Sequence, residues 1–338
     1  MEKRWKQIRY RLEWLLVTLA RDLVPLFSRD ACYRFAGTAG RLAARLDTRG
    51  RTVAISNLEA AFGDRLSAVR REEIAYESYE HFARSMLDLF WSPRLNAQNF
   101  TRYIEHANID DARADLAPDG GCIFGTFHYG NFEWLGLAYG WLGFPSAITA
   151  QEFKNPLLND LFRTLRERSG HRVVEREGAI IRLYKTLRKK GRAALLVDTT
   201  LPPHYPTVVI ECFGLKTIVT VAHAWLQERT GVPIIPAHCE PLPNGRYKIV
   251  AHPKVQPPKG ATHQEIAQAC WDAIEPTIRN NPSPWLWMYK HWRYRPAGAK
   301  GYPPYAQESP AFDQIASRPN YAKLDRTRIF WPAPDEDD

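Results

Sequence analysis

A histidine and a glutamate stand five residues apart in the aromatic segment TFHYGNFEW, which covers residues 126–134. An imidazole titrates near neutral pH, so His128 is suited to remove a proton from a substrate hydroxyl. On an unbroken helix five residues rotate by about 500°, which would leave the side chains of His128 and Glu133 about 140° apart. The two groups can meet only if the chain turns between them, and Gly130 can supply that turn.

The residues around this pair predict a strand that ends and a helix that follows. Residues 122–127 form an apolar run typical of a buried strand, and Asn131 is suited to cap a helix that begins there. Glu133 would then lie in the first helical turn and accept a hydrogen bond from one ring nitrogen of His128, while the other nitrogen acts as the base. A carboxylate is also favoured at this position by the helix dipole alone, so a purely structural role for Glu133 stays open.

The elements around this segment predict an α/β fold with a mostly parallel central sheet, flanked by helices and preceded by an N-terminal helical region. Residues 1–95 are helical in pattern, and a stripe of apolar residues over 75–90 is expected to face the core. From about residue 120, short apolar runs alternate with amphipathic segments. The pair Asn244-Gly245 predicts a hairpin and hence an antiparallel element. Ligands bind beyond the carboxyl ends of strands in such sheets, where both His128 and Asp198 fall.

Other catalytic chemistries lack their usual motifs in this sequence. The five cysteines are scattered without a CxxC pair, so the sequence indicates neither a zinc site nor a disulfide framework. There is no HExxH pair and no GxSxG nucleophile elbow. We therefore expect direct attack by a substrate hydroxyl, with no metal or redox cofactor.

The chain is basic, with 46 Lys and Arg against 37 Asp and Glu and a formal charge of +9. This charge favours an anionic partner, and no nucleic-acid-binding motif accompanies it. Residues 1–30 combine a basic arm with an apolar run that is too short to span a bilayer. They predict an amphipathic membrane-anchoring helix on the membrane surface. The alternative is a soluble helix that packs on its own core.

The segment HYGNFE matches the His-x4-Asp/Glu signature of the lysophospholipid acyltransferase superfamily, and it resembles the form found in bacterial lipid A late acyltransferases (lauroyl and myristoyl transferases). The resemblance covers roughly residues 57–293. Further segments support it in the same order along the chain: NLEAAF at 57–62, KNPL at 154–157, Asp198, FG at 213–214, GVPIIP at 231–236, PWLW at 284–287 and HWR at 291–293.

The resemblance implies transfer of an acyl chain from a thioester of acyl carrier protein or coenzyme A to a hydroxyl of a membrane lipid, a lipid A precursor, at the cytoplasmic face of the bacterial inner membrane. His128 would be the general base and Glu133 its partner. Backbone N–H groups near Gly130 and Asn131 would stabilise the oxyanion. Candidate substrate-binding residues are Asn131, Lys154, Arg166, Arg176 and Asp198, and Asp198 can alternatively fix a neighbouring basic residue.

Departures from the family pattern leave the acceptor open. Gln151 stands where the related enzymes carry an arginine, which makes a lysophospholipid or another glycolipid an alternative acceptor. A non-catalytic membrane-surface binding protein is a more distant alternative.

We expect an acyltransferase domain over residues 31–295, with its catalytic core from about 118, and a proline-rich tail over 296–338. His223, His238 and His252 are expected to be structural. Trp285, Trp287 and Trp292 either pack in the core or support an acyl-chain tunnel.

Overall fold

A computed structural model describes residues 2–116, 120–150, 152–175 and 178–316. Within these ranges the helices are α1 (Glu2–Leu23), α2 (Arg29–Leu46), α3 (Thr48–Phe62), α4 (Ala68–Trp91), α5 (Ile109–Ala114), α6 (Phe132–Trp141), α7 (Asn159–Glu167), α8 (Ala179–Arg188), α9 (Ala222–Thr230), α10 (His263–Asn280) and α11 (Ala311–Ala316). The strands are β1 (Ile104–Ala107), β2 (Cys122–Thr126), β3 (Ala147–Thr149), β4 (Arg172–Val174), β5 (Arg192–Leu196), β6 (Thr207–Cys212), β7 (Leu215–Thr220), β8 (Ile234–Pro241), β9 (Tyr247–Ala251), β10 (Tyr294–Arg295) and β11 (Gln307–Glu308).

A seven-stranded sheet with the order β1-β9-β8-β2-β5-β3-β4 forms the centre of the fold. Strands β8, β2, β5, β3 and β4 run parallel, and β9 pairs with β8 in the antiparallel direction through the turn at Asn244 and Gly245. The mixed α/β fold, its mostly parallel sheet, the antiparallel element and the N-terminal helical region are therefore confirmed.

Helix α4 packs against both α2 and α6, and so joins the N-terminal helical region to the rest of the domain. Its buried face includes Leu89, as an apolar stripe requires, but it also includes Ser78, Ser85 and Asp88. Phe82, which the expected stripe placed in the core, is 38% exposed. The expected stripe is confirmed for Ala75 and Tyr79, which are buried, but not for Phe82, because polar residues occupy part of the inward face.

Strand β7 was not anticipated from the sequence, whereas its partner β6 coincides with an apolar β-like run over residues 207–212. Strands β6 and β7 form a separate antiparallel pair around a turn at Phe213 and Gly214. Part of the proline-rich tail lies on the core, as its aromatic residues, Tyr305 among them, indicate. The phenol of Tyr305 donates a hydrogen bond to the buried Asn57, and Phe312 is fully buried. The aromatic residues of the tail beyond residue 316 lie outside the described residues.

Helix α1 keeps most of one apolar face exposed. The exposed apolar face consists of Trp5, Ile8, Leu12, Leu15, Leu16, Leu19 and Leu23. Their spacing of three or four residues places them on one side of the helix. The opposite side is fixed to the domain, where the amide of Asn155 donates hydrogen bonds to the carbonyl of Tyr10 (2.8 Å) and to Glu13 (3.0 Å). Among the described helices, none is both long and apolar enough to cross a membrane.

Candidate functional site

The register between β2 and β5 brings His128 beside Asp198. Thr126 is paired with Leu196 at the carboxyl ends of the two parallel strands. His128 and Asp198 each stand two residues beyond this pair, so they leave the sheet at the same edge. The distance between His128 Nδ1 and Asp198 Oδ1 is 2.9 Å. This is the edge at which parallel sheets place their ligands.

The carboxylate of Asp198 is almost completely buried and accepts three hydrogen bonds. Besides the imidazole, the backbone N–H of His128 donates to it at 2.9 Å and the indole N–H of Trp285 donates at 3.0 Å. Burial acts to raise the pKa of Asp198, but the charge and hydrogen bonds of His128, together with the nearby His291, outweigh it and lower the pKa to about 2. Asp198 is therefore ionised at neutral pH and holds the proton of His128 on Nδ1.

The imidazole of His128 is arranged so that its Nε2 can accept a proton. The side chain is 21% exposed, and its ring contacts Phe132 edge-on with centroids 5.2 Å apart. Burial acts to lower the pKa of His128, but the negative charges of Asp198 and Glu133 outweigh it and hold that pKa above its ordinary value. The free nitrogen is thus a stronger base than that of an unperturbed histidine.

Glu133 binds Arg166, not His128. The guanidinium of Arg166 donates two hydrogen bonds to the carboxylate, Nε at 3.0 Å and Nη2 at 2.5 Å, and the Glu133 side chain is 6% exposed. The prediction that Glu133 accepts the hydrogen bond of the His128 ring was therefore wrong. The first helical turn directs Glu133 toward α7, whereas the neighbouring strand presents Asp198 to the ring. The carboxylate still acts on His128 through its charge.

The turn between strand and helix is formed as the sequence indicated. Gly130 adopts a positive φ of 56°, and the side chain of Asn131 caps α6 by accepting a hydrogen bond from the N–H of Trp134 at 3.0 Å. The backbone N–H groups of Gly130 and Asn131 donate to the carbonyls of Pro284 and Cys239. These two N–H groups are consequently not open for an oxyanion, which leaves other N–H groups near Gly130 and Asn131 as candidates. In this first turn, the N–H groups of Phe132 and Glu133 have no hydrogen-bond partner among the described residues.

Replacement of Gly130 by alanine should lower the free energy of unfolding by at least about 3 kcal/mol. The added Cβ would lie 1.8 Å from the carbonyl oxygen of Cys239, in addition to the strain of a positive φ. Gly231→Ala is the matched control, since Gly231 has a φ of 70° but open space around the Cβ position. It should cost only about 1 kcal/mol in the same urea titration. Equal losses in the two variants would contradict the role given to the contact at Cys239.

The other predicted substrate-binding residues have different surroundings. Asn131 is fully buried and donates a hydrogen bond to Asp88, so it belongs to the framework of the turn, and its contact with a substrate stays a prediction. Lys154 is exposed in the segment before α7. Arg166 is engaged by Glu133. Arg176 lies outside the described residues, as does Gln151.

The three tryptophans, and two of the three histidines that were expected to be structural, are buried. Trp285, Trp287 and Trp292 have no exposed surface, and Trp285 stacks on His291 with ring centroids 3.8 Å apart. These indoles pack in the core, and through Trp285 they also reach Asp198. Among the histidines, His223 and His238 are 1% exposed, and Nδ1 of His238 lies 2.9 Å from Nε2 of His252.

The family model for the bacterial lipid A biosynthesis acyltransferases matches residues 1–294. The chain belongs to this family. It is accordingly an acyltransferase that acts on lipid, and membership implies a lipid acceptor and an acyl thioester donor. No curated protein matches the chain at a significant level.

The segment NLEAAF at residues 57–62, one of those that resemble this acyltransferase family, helps to position the residues around His128. The amide of Asn57, in the segment NLEAAF, donates to the carbonyls of Trp287 and Tyr289, both at 2.8 Å. These bonds hold the loop that carries Trp285, the indole donor to Asp198. The segment therefore acts on the candidate site indirectly, by fixing the loop that completes the surroundings of Asp198.

Proposed function

We propose that this enzyme transfers a fatty acyl chain from a thioester, carried by acyl carrier protein or coenzyme A, to a hydroxyl of a lipid A precursor, with His128 as general base. The observation that carries the proposal is the His128–Asp198 pair at the carboxyl edge of the sheet, in a chain of the lipid A acyltransferase family. Nε2 of His128 faces away from its carboxylate partner and is the nitrogen available to a substrate.

The chemical step follows from this geometry. Nε2 of His128 removes the proton of the acceptor hydroxyl as its oxygen attacks the thioester carbonyl carbon. Collapse of the tetrahedral intermediate breaks the carbon–sulfur bond, and the thiolate takes the proton from the imidazolium, which leaves an ester and a free thiol. We assign the oxyanion to the N–H groups of Phe132 and Glu133, because they are open donors at the start of a helix beside the His128 ring.

Glu133 and Arg166 contribute as a charged pair next to this base. The carboxylate favours the imidazolium that forms during the reaction, and Arg166 holds the carboxylate in place by its two hydrogen bonds. Lys154, and Arg176 in the undescribed segment after β4, are the candidates for contact with a phosphate of either substrate. No metal or redox cofactor takes part in these steps.

The membrane surface is the proposed site of action, at the cytoplasmic face of the inner membrane. The apolar face of α1 would enter the boundary between headgroups and acyl chains, and the basic residues of α1 would meet anionic headgroups. The Asn155 contacts with α1 support this arrangement, since Asn155 lies in the loop that follows β3 at the active edge. Docking through α1 would therefore place the bilayer beside the edge that carries His128.

The test of the proposed function is release of free thiol from a panel of acyl carrier protein and coenzyme A thioesters, with each of three acceptors: a lipid A precursor, a lysophospholipid and another glycolipid. Products are identified by mass spectrometry. We expect release that depends on the lipid A precursor, an ester product, and loss of both in His128→Gln. Acylation of only a lysophospholipid or glycolipid would overturn the assigned acceptor. Binding to vesicles without any thiol release would overturn acyl transfer itself.

The pH dependence of kcat should report the charges around His128. The neutral imidazole is the active form, and its pKa lies above the ordinary value, so kcat should rise with pH through an apparent pKa above about 6.5. Glu133→Gln removes a charge that raises this pKa, so the acidic limb of the profile should move to lower pH. The exposed His106 serves for comparison, since His106→Gln should leave the limb where it is.

The same variant should also lower stability. Loss of one partner of a buried ion pair leaves the Arg166 charge uncompensated, which costs about 3 kcal/mol of unfolding free energy. Glu133→Gln combined with Arg166→Met should recover most of that loss of unfolding free energy.

The pH profile of Glu133→Gln is measured as kcat from pH 5 to 9. If its acidic limb stays at the wild-type position, the Glu133 charge does not act on the base.

A further inference from the structure

A buried carboxylate behind the catalytic turn has no role in the steps described above. Asp88 lies on α4 and is 1% exposed. It accepts hydrogen bonds from the amide of Asn131 at 2.8 Å and from the phenol of Tyr247 at 2.7 Å. Arg29 supplies two more donors, at 2.6 and 3.0 Å. A charge in such a place is costly unless every lone pair is used, and here four donors converge on it.

Arg29 occupies a position that its own helix does not favour. It is the first residue of α2, where the helix dipole disfavours a cation, and Ser28 already caps that helix. Its guanidinium also donates to the carbonyl of Gly245 at 2.8 Å and lies 4.9 Å from the centre of the Trp134 ring. The residue is thus placed by its contacts with α4, with the hairpin and with α6.

The contacts of α4 converge on the turn that separates His128 from α6. Ser85 stands three residues before Asp88, on the same side of α4, and its hydroxyl donates to the carbonyl of Gly130 at 2.7 Å. The main-chain carbonyl of Asp88 accepts the indole N–H of Trp134 at 2.9 Å. The carbonyl of Gly130, the side chain of Asn131 and the indole of Trp134 are therefore all held from one face of one helix.

We infer that Asp88, with Arg29 as its counter-ion, is a positioning residue for the catalytic turn. It acts through Asn131, whose other side-chain atom caps α6, and so it fixes the direction in which the chain leaves His128. The inference rests on the proposed function of His128. A displacement of about 1 Å in a catalytic group can reduce the rate a hundredfold, so loss of this anchor should slow the reaction even in a folded protein.

The test compares Asp88→Asn with Glu80→Gln. Glu80 lies on the same helix, is also buried, and forms ion pairs with Arg41 and Arg84 at the same interface with α2, but it has no hydrogen bond to the catalytic turn. Both variants should lower the melting temperature. Asp88→Asn should lower kcat about thirtyfold with KM for the thioester within about twofold, whereas Glu80→Gln should keep kcat within about twofold. Equal kcat values in the two variants would overturn the inference.

Two further measurements keep the test decisive. The first applies if Asp88→Asn does not fold. Tyr247→Phe removes one hydrogen bond to the Asp88 oxygen that also binds Asn131, without a change in charge, and kcat should fall about threefold. An unchanged kcat would overturn the inference.

The second measurement is the low-field proton resonance of His128 Nδ1–H, which needs no substrate. It should shift or broaden in Asp88→Asn but not in Glu80→Gln. Such a change in a protein that transfers no acyl group would retain the positioning role and reject the proposed function.

Discussion

Replacing His128 by glutamine should lower kcat about a thousandfold while the melting temperature stays within a few degrees. Glutamine has a similar size and can still donate a hydrogen bond to Asp198, so the turn should keep its shape. It lacks a nitrogen that can take a proton near neutral pH, and the attack by the acceptor hydroxyl would lose its base. The measurement is the initial rate of thiol release at saturating thioester and acceptor, with unfolding followed in parallel.

His106→Gln is the matched control, because His106 is an exposed histidine on β1 at the edge of the sheet. Its activity should equal that of the wild type. A His128→Gln enzyme that retained more than about a tenth of the wild-type kcat would remove general-base catalysis by this residue, since such catalysis contributes at least about a hundredfold.

Replacing Asp198 by asparagine should also lower kcat about a thousandfold, for a different reason. The oxygen of the new amide can still accept from the backbone N–H of His128 and from Trp285, so the fold should persist. Its NH2 group would face Nδ1 of His128 as a donor where the carboxylate oxygen was an acceptor. The ring would then carry its proton on Nε2, and this nitrogen could no longer accept the proton of the hydroxyl.

The two substitutions should differ in their response to pH. Without the negative charge of Asp198, burial would dominate and lower the pKa of His128, so the acidic limb of the residual Asp198→Asn activity should lie at lower pH than in the wild type. A residual activity that still rises with pH through the wild-type limb would contradict the assignment of Asp198 as the partner of the base. Asp198→Asn therefore tests the orientation of the imidazole, whereas His128→Gln tests its presence.

Much of the fold could be predicted because local patterns and final structure agree. The buried run before His128 became β2, Asn131 became the cap of α6, and the pair Asn244-Gly245 became the β8–β9 turn. The buried face of α4 could not be predicted in the same way. Ser78, Ser85 and Asp88 are polar, and their burial is explained only by partners far along the chain, such as Gly130 and Arg29.

The partner of His128 was beyond sequence reasoning for a similar physical reason. Glu133 is near His128 in sequence, and the helix dipole favours a carboxylate at its position in the first helical turn. The direction of its side chain, however, depends on Arg166 in α7. Asp198 is distant in sequence, and it becomes adjacent only through the register of two parallel strands. The expectation that Asp198 lies at a strand end and fixes a neighbouring basic residue was the useful signal, and the register identifies that residue as His128.

The tail contact at Tyr305 has a consequence for where this enzyme can be divided. The family match ends at residue 294, yet the phenol of Tyr305 satisfies the buried Asn57, and Phe312 fills a place in the core. Asn57 in turn holds the loop that carries Trp285. A chain shortened to the family boundary would thus lose packing that extends to the candidate site. For truncation or for grafting between relatives, the unit that can be moved intact runs at least to Ile315.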